Sequence, residues 1–153
     1  MTPEEKLASM ELSLPEVAKP VATYVRFKRV GDLAYLSGEG PRRADGSNVT
    51  GVVGKDVTVK EAYEHAKLVG LGLLASAKEA AGGDLSKVEF VKLLGMVNAV
   101  PGFGDQPEVI NGCSDLLVAV LGERGRHARS AVGMGSLPRN ITVEIEAIIR
   151  IHG

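Results

Sequence analysis

Tryptophan is absent, cysteine occurs once, and aromatic residues make up only 4% of the chain. A lone Cys113 cannot close an internal disulfide, which excludes a disulfide-built secreted domain and fits a reducing compartment. His65, His127 and His152 have no metal-ligand spacing, and with one cysteine a structural zinc site is excluded as well; no cofactor motif appears. No apolar run approaches the length of a membrane span. The first residues, MTPEEKLASMEL, are acidic and lack the basic-then-apolar order of a signal peptide, so the expectation is a soluble cytoplasmic protein. Charge of one sign is missing too: 18 basic side chains stand against 19 acidic ones, for a net charge of -1. Strong capture of nucleic acid by the field of the whole molecule is therefore not expected.

What is present is a small-residue core. The 153 residues suit one domain, and 44% of them are hydrophobic, mostly Val, Leu, Ile and Ala, with 19 glycines between them. Such a core invites further burial by assembly with copies of the same chain, an expectation from composition.

Local signals divide the chain cleanly. Thr2-Pro3-Glu4-Glu5 has capping-box spacing with Pro at the first helical position, which predicts a short helix to about Met10. Pro15 and Pro20 impose an extended connector. Thr23 to Arg29 and Leu33 to Ser37 flank Val30-Gly31-Asp32 as a hairpin, and Pro41 to Lys55 reads as a loop. Thr58 and Glu61 form a second capping box, followed by Ala62, Ala66, Val69, Leu73, Ala77 and Ala80 at helical spacing and by a Gly82-Gly83 stop. Val88 to Asn98 is a strand, Pro101 to Pro107 a loop, and Pro107 to Leu121 a helix with Val109, Ile110, Cys113, Leu117 and Val120 on one side. On that stripe Cys113 has no basic neighbour to make it a nucleophile. Gly102-Phe103-Gly104 has neither the Lys-Ser/Thr nor the Rossmann context of a phosphate loop. Two strands finish the chain. This order predicts an α+β fold with one mixed sheet and two helices on the same face.

The charges on the last two strands stand out. After Ile141 the residues alternate, with Ile141, Val143, Ile145, Ala147, Ile149 and Ile151 on one side and Thr142, Glu144, Glu146, Ile148 and Arg150 on the other. In the preceding strand, Ala128 to Met134, Arg129 shares its face with Ala131 and Gly133, which are too short to cover a guanidinium. A cleft beside Arg129 follows, because an unused charge on such a strand is costly. A guanidinium offers a planar fork of donors that matches a carboxylate. The structural alternative is pairing with a local acid such as Glu144 or Glu146. Arg124, Arg126 and Arg139, without interleaved aromatics, read as a solvated edge rather than an RNA track.

The pieces Ala128-Arg129-Ser130, Leu137-Pro138 and Val143-Glu144-Ile145-Glu146-Ala147 closely resemble the C-terminal signature of the RidA family, also called YjgF or endoribonuclease L-PSP-like. Tyr24, Leu36-Ser37-Gly38 and Val109-Ile110-Asn111 extend the resemblance over roughly Pro20 to Ile151. It implies a chorismate-mutase-like fold for residues 20–153, assembled as a homotrimer with ligand clefts between subunits, and leaves residues 1–19 as an N-terminal extension; packing of that extension over a neighbouring subunit's cleft is one expectation. It further implies that Arg129 clamps the carboxylate of a 2-imino acid and that Glu144 positions water. Tyr24, Ser37, Gly38, Asn111 and the backbone of Ala131 would border the substrate, with no metal or organic cofactor required.

Bland readings stand beside these roles. Tyr24 is also a half-buried strand aromatic, Ser37-Gly38 a plain turn, Asn111 a surface residue, and Glu144 and Glu146 solvated side chains or neutralisers at a subunit contact. The sequence departs from the family at Glu39, where many relatives carry Gln, at Ala131, where many carry Cys, and at Gly133, where many carry Glu; the last change is expected to widen the pocket or alter what it accepts. The leading expectation is an enamine/imine deaminase that converts 2-aminoacrylate-type 2-imino acids to 2-oxo acids and ammonia. The alternatives are a non-catalytic metabolite-binding protein using the same clamp, a ribonuclease, and, on fold alone, a chorismate-mutase-like rearrangement.

Overall fold

The computed structural model describes residues 1–17, 19, 20 and 22–153. Helix α1 (Pro3–Ser9) precedes a hairpin of β1 (Phe27–Val30) and β2 (Leu33–Glu39). Helix α2 (Val59–Ala80), strand β3 (Val88–Asn98), helix α3 (Gln106–Leu121), strand β4 (Ala128–Met134) and strand β5 (Val143–Ile151) follow. The strands form one sheet in the order β1-β2-β5-β3-β4, in which only the β3–β4 pair is parallel. That pair needs a crossover, and α3 supplies it.

Both predicted capping boxes form. At α2, Thr58 Oγ1 accepts from the Glu61 backbone N–H at 3.1 Å while Glu61 Oε1 accepts from the Thr58 backbone N–H at 3.1 Å, so two orphan donors are met reciprocally. The Thr2–Glu5 box starts α1 in the same way. Strand β3 has the predicted ends, and α2 stops at Gly82-Gly83 through bonds from these two N–H groups to the Glu79 and Lys78 carbonyls.

The core lies between the sheet and the pair α2/α3. Val143, Ile145, Ala147, Ile149 and Ile151 of the central strand β5 are all buried, as the alternation requires, and they meet Leu73, Leu74, Leu117 and Ile110 from the helices. The two helices cross in direct contact because Gly112 has no side chain: a Cβ there would lie 1.9 Å from the Tyr63 carbonyl oxygen on α2. The opposite face of the sheet carries no helix and leaves Tyr35, Val91 and Val132 exposed. No helix of the described residues is long and apolar enough to cross a membrane.

Three local expectations need correction. The first strand begins at Phe27, so Tyr24 sits in the approach to it. The second runs past Ser37 to Glu39 through a β-bulge: Leu36 opposes Ala147 and Glu39 opposes Ile145, leaving Ser37 and Gly38 together opposite one residue. Thr142, placed by parity on the open face, is buried before β5 begins, with its Oγ1 3.0 Å from His65 Nδ1. Part of the N-terminal extension packs against the core of the same chain. Leu7 is buried in the core, Met10, Leu12 and Leu14 lean on it, and Glu4 Oε1 accepts from the Leu85 N–H at 3.3 Å.

Gly112→Ala is expected to destabilise the protein by about 3 kcal/mol or more, since the clash is with backbone that cannot rotate away. Thr58→Ala, which removes one cap, is expected to cost only about 1 kcal/mol. Denaturant unfolding of the two variants checks the ranking.

Candidate active site

Register decides where each charged side chain points. On β3, Leu93 and Val97 are fully buried under the helices, so Leu94 and Met96 face the open side of the sheet. Paired residues share a face. Arg129 pairs with Leu93 and therefore points toward α3, whereas Glu144 pairs with Met96 and Glu146 with Leu94, which sends both acids to the opposite face. An Arg129–Glu144 or Arg129–Glu146 ion pair within the chain is thus excluded.

Arg129 instead meets two neutral acceptors on α3. Its Nη1 donates to Asn111 Oδ1 at 2.8 Å and to Ser114 Oγ at 3.1 Å, residues one helical turn apart on the same face. Among the described residues it has no acidic partner within ion-pair distance. Asn111 therefore orients the guanidinium, and the surface-facing alternative for it falls. The guanidinium borders an open hollow of about 410 Å³ with Ser114, Val118, Arg126 and His127. Ala131 is half-buried on the same face and packs on the core. At Gly133 a Cβ would lie 2.9 Å from Gln106 Nε2.

The other predicted residues gather on the far side of β5. Tyr24, Ser37, Gly38, Glu144 and Glu146 line a second hollow of about 770 Å³ together with Arg26. The Glu144 carboxylate lies against Gly38, in the volume a Cβ would need. Burial, and after it the nearby Glu146, holds the Glu144 carboxyl above its ordinary value. Ser37 Oγ donates to the Val25 carbonyl at 2.5 Å, so its proton is committed and it can only accept from a ligand. Tyr24 is 45% exposed, with its hydroxyl 3.5 Å from Arg26 Nη1.

This larger hollow also has a floor that sequence reasoning missed. The bulge at Ser37-Gly38 turns Glu39 inward, where it is 4% exposed and pairs with Arg26; Ser76 on α2 reaches the same oxygen at 3.5 Å. The position flagged as Glu in place of Gln is thus half of a buried ion pair. The only signal in the sequence was that departure itself.

The fold has known counterparts. Residues 4–147 match the family model described as "YjgF/chorismate_mutase-like, putative endoribonuclease". The chain belongs to this YjgF/chorismate-mutase-like family. The crystal structure of Atu1372, a protein with unknown function from Agrobacterium tumefaciens, superposes with a TM-score of 0.90 at 47% identity, over 98% of this chain and 94% of that one. Protein TCP17 of Trypanosoma cruzi is 38% identical over 95% of this chain and 92% of its own. A 2-iminobutanoate/2-iminopropanoate deaminase of Dermatophagoides farinae is 28% identical over 92% of this chain and 95% of its own.

In this YjgF-like chain, Cys113 is inert, since complete burial pushes its thiol up to about 12. No group of three or more His, Cys, Asp or Glu among the described residues is placed to hold a metal ion.

The Glu144 environment makes a testable statement about stability. A carboxyl whose folded value is raised takes up protons on folding, so it costs nothing below its ordinary value of 4.5 and destabilises increasingly as pH rises through the shifted value. Glu144→Gln is expected to melt higher than wild type at neutral pH. That advantage should vanish below the ordinary carboxyl value, as read by thermal melts across pH.

Proposed function

We propose that this protein is an enamine/imine deaminase, hydrolysing 2-aminoacrylate-type 2-imino acids to 2-oxo acids and ammonia. The observation that carries this reading is Arg129, a half-buried guanidinium held by two uncharged acceptors and bordering a hollow, with no resident carboxylate. Such a group is preorganised for an incoming carboxylate and loses no ion pair in taking it. Family membership and the named deaminase among the relatives support the same chemistry.

One subunit does not complete the site. Arg129, Asn111 and Ala131 lie on the helix side of β4, while Tyr24, Ser37, Gly38 and Glu144 lie beyond β5 on the open side. In the proposed arrangement the open sheet faces of three copies pack together, and the Arg129 half of one copy meets the Glu144 half of the next. The substrate carboxylate docks on Arg129 and its C2 lies over the junction. Glu144, Gly38 and backbone carbonyls orient the attacking water. An imine is already electrophilic, so holding water and carbon together does most of the work and needs no cofactor. The cytoplasm is the compartment where such intermediates would meet it.

Coupling the purified protein to an enzyme that releases 2-aminoacrylate tests the reading. Wild type is expected to clear the intermediate faster than buffer, and Arg129→Ala to lower kcat/KM by about 10- to 150-fold, the worth of a charge-assisted bond of about 1.5–3 kcal/mol. Mixing Arg129→Ala with Glu144→Ala subunits should restore part of the activity, since some junctions regain both groups. Saturable pyruvate binding without turnover would instead identify a metabolite-binding protein, and failure of complementation would place both halves in one subunit's own site.

A further inference from the structure

His127 has no part in the mechanism so far, yet it is held more exactly than a surface histidine needs to be. Its Nδ1 lies 2.7 Å from the Gly125 carbonyl oxygen, and its Nε2 lies 2.9 Å from Ser114 Oγ. A carbonyl can only accept, so Nδ1 carries the proton and Nε2 the lone pair. Ser114 must then donate its hydroxyl proton to Nε2. Its oxygen in turn accepts from Arg129 Nη1 at 3.1 Å.

The hydrogen bonds therefore run in one direction, from the guanidinium through the serine hydroxyl and the imidazole to a main-chain carbonyl. Gly125 secures the far end. It lies so close to α3 that a Cβ would be 2.2 Å from the Leu117 carbonyl oxygen, so only a residue without a side chain brings its own carbonyl to the imidazole. Ser114, His127 and Arg129 all border the same hollow of about 410 Å³.

The geometry points to Ser114 and His127 as a proton relay for the imine carried by Arg129, with Ser114 Oγ touching the reacting water and His127 acting through it. This rests on the deaminase reading and adds the acid-base partner which that reading lacks. Water attacks C2 of the protonated imine, and the C=N π pair moves to nitrogen. The water's proton passes to Ser114 Oγ while the serine's own proton passes to His127 Nε2, leaving a neutral carbinolamine. The proton then returns by the same route to nitrogen, and the C–N bond breaks with its electron pair on nitrogen. The carbinolamine hydroxyl proton leaves with the ammonia as ammonium, and the 2-oxo acid remains.

The surroundings keep the imidazole in the form the relay needs. Burial lowers its proton affinity most strongly, the Gly125 bond opposes it less strongly, and Arg129 adds the smallest lowering effect. The charged groups at this hollow are Arg129 on β4 and, at the rim, Arg126, which pairs with Glu123 of the preceding turn at 3.8 Å. Neither α3 nor β4 turns an acid toward the ring: Asp115 is bonded to Tyr63 on α2, and Glu144 and Glu146 are behind the sheet. His127 is thus neutral at pH 7 and ready to accept.

The test measures clearance of enzymatically released 2-aminoacrylate above the buffer rate from about pH 5.5 to 8.5, across the range in which a histidine titrates. Pyruvate affinity is measured by calorimetry, and folding by thermal melts. Ser114→Ala should lower the excess rate at least about tenfold, the lower range of acid-base assistance, with pyruvate affinity held within about threefold. Ser114→Thr, which keeps the hydroxyl, should recover much of the rate. Wild type should lose rate as pH falls and His127 protonates, whereas His127→Asn should be slow with that acid limb gone. Two results overturn the relay and leave the deaminase standing: variants as fast as an active wild type, or a Ser114→Ala variant that loses pyruvate affinity as steeply as rate. A wild type no faster than buffer overturns both.

Discussion

An arginine held by neutral partners is the constraint on which the rest of this structure turns. A guanidinium with a resident carboxylate is satisfied and has little left to offer, and one with no partner in a half-buried place is too costly to keep. Here Asn111 and Ser114 accept from one edge of Arg129 and bring no charge. The positive charge stays uncompensated beside a hollow. That condition depends in turn on α3 crossing from β3 to β4, which sets the Asn111–Ser114 face of the helix directly over the edge strand.

The central strand β5 imposes the second constraint. One of its faces builds the core through Val143, Ile145, Ala147 and Ile149, and the other carries Glu144 and Glu146 on a side of the sheet that no helix covers. Arg129 on the edge strand β4 faces the helices, so within the sheet it and Glu144 lie on opposite faces. Under the proposed deaminase reading the two halves would come from different copies of the chain, and the open face carries the exposed apolar residues Tyr35, Val91 and Val132.

The buried Arg26–Glu39 pair shows how a single bulge reshapes such a sheet. Regular alternation from Leu36 would have put Gly38 inside and Glu39 out. The extra residue turns Glu39 inward beneath the larger hollow, where its charge is met by Arg26. Loss of either partner would leave a charge in the core, so the pair fixes the approach from Tyr24 to β1 as well as the hollow's floor.

The sequence alone determined whatever depends on neighbours along the chain. The capping boxes at Thr2 and Thr58, the ends of β3, the one-sided burial of β5 and the class of fold are all set by periodicity and local hydrogen bonding, which short-range patterns record directly. The resemblance carried by Arg129 and Glu144 named the family for the same reason, because its motif is contiguous. Tertiary structure decided what depends on register and crossing. It showed that Arg129 and Glu144 face opposite ways, that Asn111 holds the guanidinium, and that Tyr24 precedes its strand. His127, dismissed in the sequence for want of ligand spacing, became legible only when α3 and the turn at Gly125 set Ser114 Oγ and a carbonyl on its two nitrogens. Neither partner is marked by a motif, and hydrogen-bond direction exists only once three separate segments meet in space.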